Sequence, residues 1–269
     1  MRQGILLSLT ALAMATTAVA LPAQERSRDT FNWAGQIPAG RWITVRNLNG
    51  EIRVEPSTSN RVEVTAIKSW RRGDPAEVRI EVKKYGPGEQ DVLLCALWSD
   101  DAYCDEDGYR HRGSGRNRRD NDVSVEFRVR VPPGVKIGAN SVNGSVTVEG
   151  ATSDVRVGTV NGSVEATSAG GPVEASTVNG SVFARMGRLS GSEDLNYSTV
   201  NGSIQVEFDG ELTNADLEMS TVNGRFETNF PITLQGRLNP RHLRTRLGNG
   251  GRRIKLTTVN GNVELRRRG

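Results

Sequence analysis

Apolar and polar residues alternate with period two along most of the chain, and Asn-Gly pairs interrupt the alternation. Before the interruptions come Val155, Val157 and Thr159, then Val173, Ala175 and Thr177, then Leu195, Tyr197 and Thr199. Leu217, Met219 and Thr221, and Ile254, Leu256 and Thr258, repeat the pattern. After the interruptions come Val146 and Val148, Val164 and Ala166, Val182 and Ala184, Ile204 and Val206, and Val263 and Leu265. Period two predicts short strands with one apolar face. Earlier in the chain it predicts strands at 42–46, 61–67, 77–83, 92–97 and 123–131.

The pairs are Asn143-Gly144, Asn161-Gly162, Asn179-Gly180, Asn201-Gly202, Asn223-Gly224 and Asn260-Gly261, at spacings of 18, 18, 22, 22 and 37. A relative, Asn49-Gly50, stands 94 residues before the first. Asn-Gly predicts a sharp turn, with positive φ accepted by Gly and tolerated by Asn. It is also a strong hairpin signal. Two all-β architectures therefore fit. One is a β-solenoid of about 18–22 residues per coil. The other is an antiparallel sandwich or meander of Asn-Gly hairpins. Closure favours the solenoid, because about a dozen one-faced strands need a cover and no long helical period supplies one. The Asn side chains either form a ladder from coil to coil or serve only the turn conformation. The repeat Thr fall in the apolar parity, which predicts buried hydroxyls.

Composition narrows the chemistry. Gly is high at 30, aromatics are 5%, and there are two Cys and two His, which argues against a disulfide-framed miniprotein, a zinc module or a helical bundle. No catalytic triad, phosphate loop or cofactor motif occurs, so no enzyme and no cofactor is expected. Asp105-Glu106-Asp107-Gly108 has Tyr103 at the first position of a calcium loop, so that match fails. The outward positions after the turns are Thr147, Glu165, Phe183, Gln205, Glu227 and Glu264. Stacked in sequence order, Glu165 and Glu227 fall three coils apart, roughly 14 Å, too far for a carboxylate pair.

Met1–Ala20 reads as a signal peptide, with cleavage after 20 or after 23. Residues 21–39 read as a linker, 40–135 as a β-strand region with a polar loop at 99–122, and 136–269 as the Asn-Gly repeat region. The two β regions can also form one continuous domain. The chain is expected to be exported, whether periplasmic, secreted or peripheral on the cell surface, with no membrane span after signal removal. Export makes a Cys95–Cys104 disulfide the expected state of two cysteines that fall in a loop-like stretch.

Charge is segregated. Residues 131–230 hold 5 Lys/Arg against 12 Asp/Glu, whereas 231–269 hold 10 against 1. Arg241, Arg244, Arg246, Arg252, Arg253, Arg266, Arg267 and Arg268 form a candidate anion-binding patch for an envelope polymer, a lipid or another envelope protein. The same residues also suit a charged cap on the last coil. Nucleic acid does not fit, since export removes it and no aromatic platform accompanies the arginines.

Three stretches together resemble the bacterial putative-adhesin family of β-strand repeats, domain of unknown function 4097: 43–54, with its Asn-Leu-Asn-Gly turn; 127–137, with Val131-Pro132-Pro133-Gly134; and the Thr-Val-Asn-Gly copies to Leu265. The resemblance implies an exported solenoid-like domain with no established catalysis, in an envelope, adhesion or envelope-stress setting. It brings no catalytic residues. The expected function is a non-enzymatic β-repeat protein acting at the envelope. The alternatives are a polysaccharide-active enzyme on a β-helix scaffold and a periplasmic accessory of envelope-stress signalling.

Overall fold

The computed structural model describes residues 27–111, 121–187, 192–210, 212, 214–232 and 239–268; the proposed signal peptide and both cleavage positions lie outside the described residues. The strands are β1 Ser27–Gly35, β2 Trp42–Arg46, β3 Ile52–Pro56, β4 Val62–Trp70, β5 Arg79–Tyr85, β6 Asp91–Leu97, β7 Ala102–Cys104 and β8 Tyr109–His111. Then come β9 Ser124–Val131, β10 Lys136–Asn140, β11 Val146–Ala151, β12 Val155–Gly158, β13 Val164–Ser168, β14 Val173–Ser176 and β15 Val182–Met186. The last are β16 Leu195–Ser198, β17 Ile204–Asp209, β18 Ala215–Ser220, β19 Phe226–Thr228, β20 His242–Leu247, β21 Arg253–Thr257 and β22 Val263–Arg268.

Each Asn-Gly turn carries the chain from one sheet to the other instead of closing a hairpin. The strands before the turns stack in one ten-stranded sheet, in the order β20-β18-β21-β16-β14-β12-β10-β2-β6-β5. Those after the turns stack in a second, in the order β1-β4-β9-β3-β11-β13-β15-β17-β22-β19. Pairing along the repeats is parallel, with Val146 beside Val164 and Val164 beside Val182. The antiparallel-hairpin alternative is thereby overturned for the repeats. Antiparallel pairing is found at the ends, where β4 lies between β1 and β9, β5 pairs β6, and β20 pairs β18. The alternation explains the core: Val155, Val164, Val173, Val182, Ile204, Ile254 and Val263 all point between the sheets and are at most 1% exposed.

Three readings from sequence change. Ser27–Gly35, inside the expected linker, is β1, an edge strand paired along its whole length with β4. The 99–122 loop contains a hairpin, β7 with β8, and the two cysteines sit in strands, Cys95 in β6 and Cys104 in β7. This hairpin covers the outer face of β6, which is why every residue from Asp91 to Leu97 is buried.

The third change concerns the order of the coils. The last coil in sequence, β21–β22, is not last in space. It inserts between β16–β17 and β18–β19, so the turn asparagines stack as 49, 143, 161, 179, 201, 260, 223. The spacing of 37 is therefore an excursion through β20 and back. The N-terminal end does the same: the first coil, β2–β3, lies between the later β6 and β9 on one side and β10–β11 on the other.

Candidate functional site

The turns form a continuous ridge, in which the Asn, Thr, Gly and Ser of the repeat each have a fixed task. The amide of Asn161 donates to Asn143 Oδ1, Asn179 to Asn161, Asn201 to Asn179 and Asn260 to Asn201, each at 2.8 Å, and Asn223 to Asn260 at 2.7 Å. The asparagines thus form a side-chain ladder as well as setting the turn. Asn49 stacks on Asn143 through the backbone, and its amide donates to the carbonyl of Val123 at 3.0 Å. The hydroxyls of Thr159, Thr177, Thr199, Thr258 and Thr221, each at most 7% exposed, donate to Gly carbonyls of the adjacent coil at 2.7–2.9 Å. Beyond the Gly, Ser145, Ser163 and Ser181 accept the backbone N–H of the corresponding residue one coil on at 3.2–3.3 Å. Gly is required because coils approach at the backbone: a Cβ on Gly180, at φ +155, would strike the Gly162 carbonyl.

One residue of the repeat has no such task. Val160, Val178, Val200, Val259 and Val222 point outward and are 38–50% exposed. They lie in a single column beside the asparagine ladder at strand spacing, about 4.8 Å. Sequence reading missed this column because attention to the apolar parity places Thr inside and says nothing of the Val between Thr and Asn. The available signal was a β-branched apolar residue recurring in the polar parity.

The candidate basic patch is divided between the sheets and interleaved with acids. In one sheet Arg244 pairs with Glu218 at 3.3 Å and Arg246 with Asp216 at 3.2 Å. The backbone N–H of Arg253 donates to Asp194 at 3.1 Å, and Lys255 lies in register with Glu218. Asp216 is held below the ordinary carboxylate range by the N–H of Gly251 and by Arg246. Asp194, Asp216, Glu218, Arg244, Arg246 and Arg253 border an open cleft of about 880 Å³. In the other sheet Arg266 pairs with Glu264 and stands in register with Glu207, while Arg268 stands beside Asp209. Arg266, Arg267 and Arg268 border a second opening of about 650 Å³ with Glu207 and Asn229. Arg241 is exposed just ahead of β20, and Arg252 is half-buried. The basic segment therefore meets the acidic one in two ways, through β20 paired with β18 at the sheet edge and through the inserted β21–β22 coil.

The insertion also changes the spacing of the outward carboxylates. Glu165 and Glu227 are four strand steps apart, not three, and Glu227 is brought into register beside Glu264. Both lie on an open sheet face. Among the described residues no group of three or more His, Cys, Asp or Glu could hold a metal ion. No described helix is long and apolar enough to cross a membrane.

At the other end Cys95 and Cys104 are joined, with Cα atoms 6.5 Å apart. The bridge pins the β7–β8 hairpin over a small second core of Leu93, Leu97 and Ala102 against Tyr85 and Tyr109. Burial pushes the Tyr109 phenol well up, and its hydroxyl donates to the Ala96 carbonyl at 3.0 Å. In β2, the strand beside β6, Trp42 carries Lys136 and Arg156 over its ring at 5.6 and 4.9 Å.

Two solved structures align with most of the chain at low similarity. One is described as a putative cell adhesion protein from Clostridium sporogenes, with 8% identity over 90% of this chain and 100% of its own, and a TM-score of 0.44. The other is described as a putative adhesin from Bacteroides fragilis, with 12% identity over 90% of this chain and 98% of its own, and a TM-score of 0.32. No curated protein matches the chain. The model of one family, described as Toastrack DUF4097, matches residues 34–266, and the chain belongs to that family.

Proposed function

We propose that this chain is an exported, non-enzymatic β-repeat protein that binds at the cell envelope through its turn ridge. The observation that carries the reading is the column of exposed valines, Val160, Val178, Val200, Val259 and Val222. A polar strand former would satisfy the backbone there equally well, so the core does not account for an apolar residue at every turn. A stiff array of identical sites at fixed spacing suits a multivalent contact, in which weak single contacts add up. The Asn, Thr and Ser ladders hold that array rigid, so little entropy is lost on binding.

The test is co-sedimentation of the mature protein with isolated cell envelopes at low and high salt. A variant with Val160→Ser, Val178→Ser and Val200→Ser together should lose most of its retention, and salt should change retention little. A second reading rests on the opening bordered by Arg266, Arg267 and Arg268. It requires the opposite result: retention lost with salt and with Arg266→Ser, Arg267→Ser and Arg268→Ser, and kept by the valine variant. No retention by any form removes the envelope from the proposal.

A further inference from the structure

We propose that Asn223 is a self-modification site, the one stacked Asn-Gly pair whose asparagine converts to aspartate and isoaspartate in the folded protein. The reaction needs two groups. The backbone nitrogen of the following Gly loses its proton and attacks the Asn side-chain carbon. The bond from that carbon to Nδ2 breaks, ammonia leaves with the proton, and a five-membered succinimide remains. Water then opens the ring at either carbonyl to give aspartate or isoaspartate. Asn-Gly is the dipeptide in which this attack is least hindered, because Gly has no side chain. The chain holds seven such pairs in its ridge.

The stack blocks the nucleophile in six of them. The N–H groups of Gly50, Gly144, Gly162, Gly180, Gly202 and Gly261 each donate to the backbone carbonyl of the Asn in the next coil, at 2.7–3.0 Å. Gly224 belongs to the coil that stacks last among the described residues, and its N–H has no acceptor among them. The electrophile is also less restrained. Asn161, Asn179, Asn201 and Asn260 each donate one ladder bond and accept another, whereas Asn223 only donates, to Asn260. The surroundings agree, since β19 has 3 residues and Val222 is 50% exposed, the most of the column. This end of the ridge is where local opening costs least.

Conversion would alter the stack in a defined way. It removes the Nδ2 that donates to Asn260 Oδ1, and it puts a negative charge on the end of the amide ladder. Isoaspartate also lengthens the main chain within the turn. The modification would therefore loosen the coil that seals the ridge.

The experiment holds the full-length protein at mildly alkaline pH and physiological temperature, with peptide mapping by mass spectrometry over time. A parallel sample is unfolded in urea. Asn249-Gly250, an off-ridge pair whose Gly N–H bonds to Leu247, serves as an internal reference. In the folded protein Asn223 should convert about fivefold or more faster than any other ridge asparagine, the factor set by one hydrogen bond worth about 1 kcal/mol net. In urea the seven should converge. Another ridge asparagine converting as fast in the folded state would overturn the proposal. So would a lead for Asn223 that persists in urea, since it would then come from local sequence.

Discussion

The Asn side chain in the turn meets two demands at once. It must tolerate the turn, and it must present a donor to one coil and an acceptor to the other. Aspartate meets the first demand and fails the second. In Asn179→Asp, a carboxylate replaces the amide that donates to Asn161 Oδ1, leaving two acceptors facing each other 2.8 Å apart. The expected cost is about 1–3 kcal/mol, read as a lower midpoint in denaturant unfolding at neutral pH. An unchanged midpoint would reduce the ladder to a by-product of the turn. Tyr197 makes a second residue-scale point. It is 1% exposed, its hydroxyl lies 3.5 Å from the Met186 sulfur, and burial raises its pKa well above the ordinary phenol value. An acid with a raised folded pKa contributes stability fully below its unfolded value, about 10, and loses it as pH rises above that. Tyr197→Phe should therefore flatten the alkaline limb of the stability–pH curve while changing little at neutral pH. A curve that keeps its slope would locate the alkaline sensitivity elsewhere, for instance at Tyr85 or Tyr109, whose pKa values burial also raises.

Among the elements, the strands were largely legible and their partners were not. Alternation of Val, Ala and Leu with polar residues marks β10 to β18 and β21 to β22, because one face of each is buried and the other is wet. The same local pattern fits a hairpin and a coil equally, since both place the same parity inward; parallel pairing across 18 or 22 residues is a tertiary choice. Residues 27–35 gave little sign of a strand because most of β1 is exposed on an edge, where period two is not enforced. The β7–β8 hairpin was hidden for a different reason. It is small, and it owes its place to the Cys95–Cys104 bridge and to Leu93 and Leu97 beneath it. Replacing both cysteines with Ala should cost about 3 kcal/mol on the chain-entropy model for a loop of about ten residues. Hydrogen exchange should show the loss in β7, β8 and the covered face of β6. A loss spread evenly over the molecule would mean the bridge does more than hold the hairpin.

At the scale of the molecule, the inserted coil reverses an ordinary expectation about chain ends. A C-terminal strand usually frays first. Here β22 has β17 on one side and β19 on the other, and β21 has β16 and β18. Asn229 extends the cover, since its side chain accepts the N–H of Arg267 at 2.6 Å and donates to the Arg267 carbonyl at 2.8 Å. In the intact chain, amides of β22 at Val263–Leu265 should therefore exchange more slowly than those of β19, although β19 lies 37 residues further from the C-terminus in register terms. Faster exchange in β22 would contradict the insertion. The charge segregation of the sequence acquires its meaning at this scale: the basic segment is the partner of the acidic one. Charges that are far apart in the chain become cross-strand neighbours, which favours one register over its slips.

The sequence by itself determined the all-β class, the inward face of each repeat strand, the turn positions and the buried Thr hydroxyls. These follow from period two and from Asn-Gly, which act within a few residues. The tertiary structure alone decided that the turns join two sheets, that the asparagines bond to each other, that β21–β22 slips in ahead of β18–β19, and that the repeat valines form one exposed column. Each of these depends on which coil lies beside which, and a pattern that repeats almost identically cannot encode the order of its own copies. At the C-terminal end that order is matched by charge: Arg244 with Glu218, Arg246 with Asp216 and Arg266 beside Glu207 become neighbours only once the chain has folded back on itself.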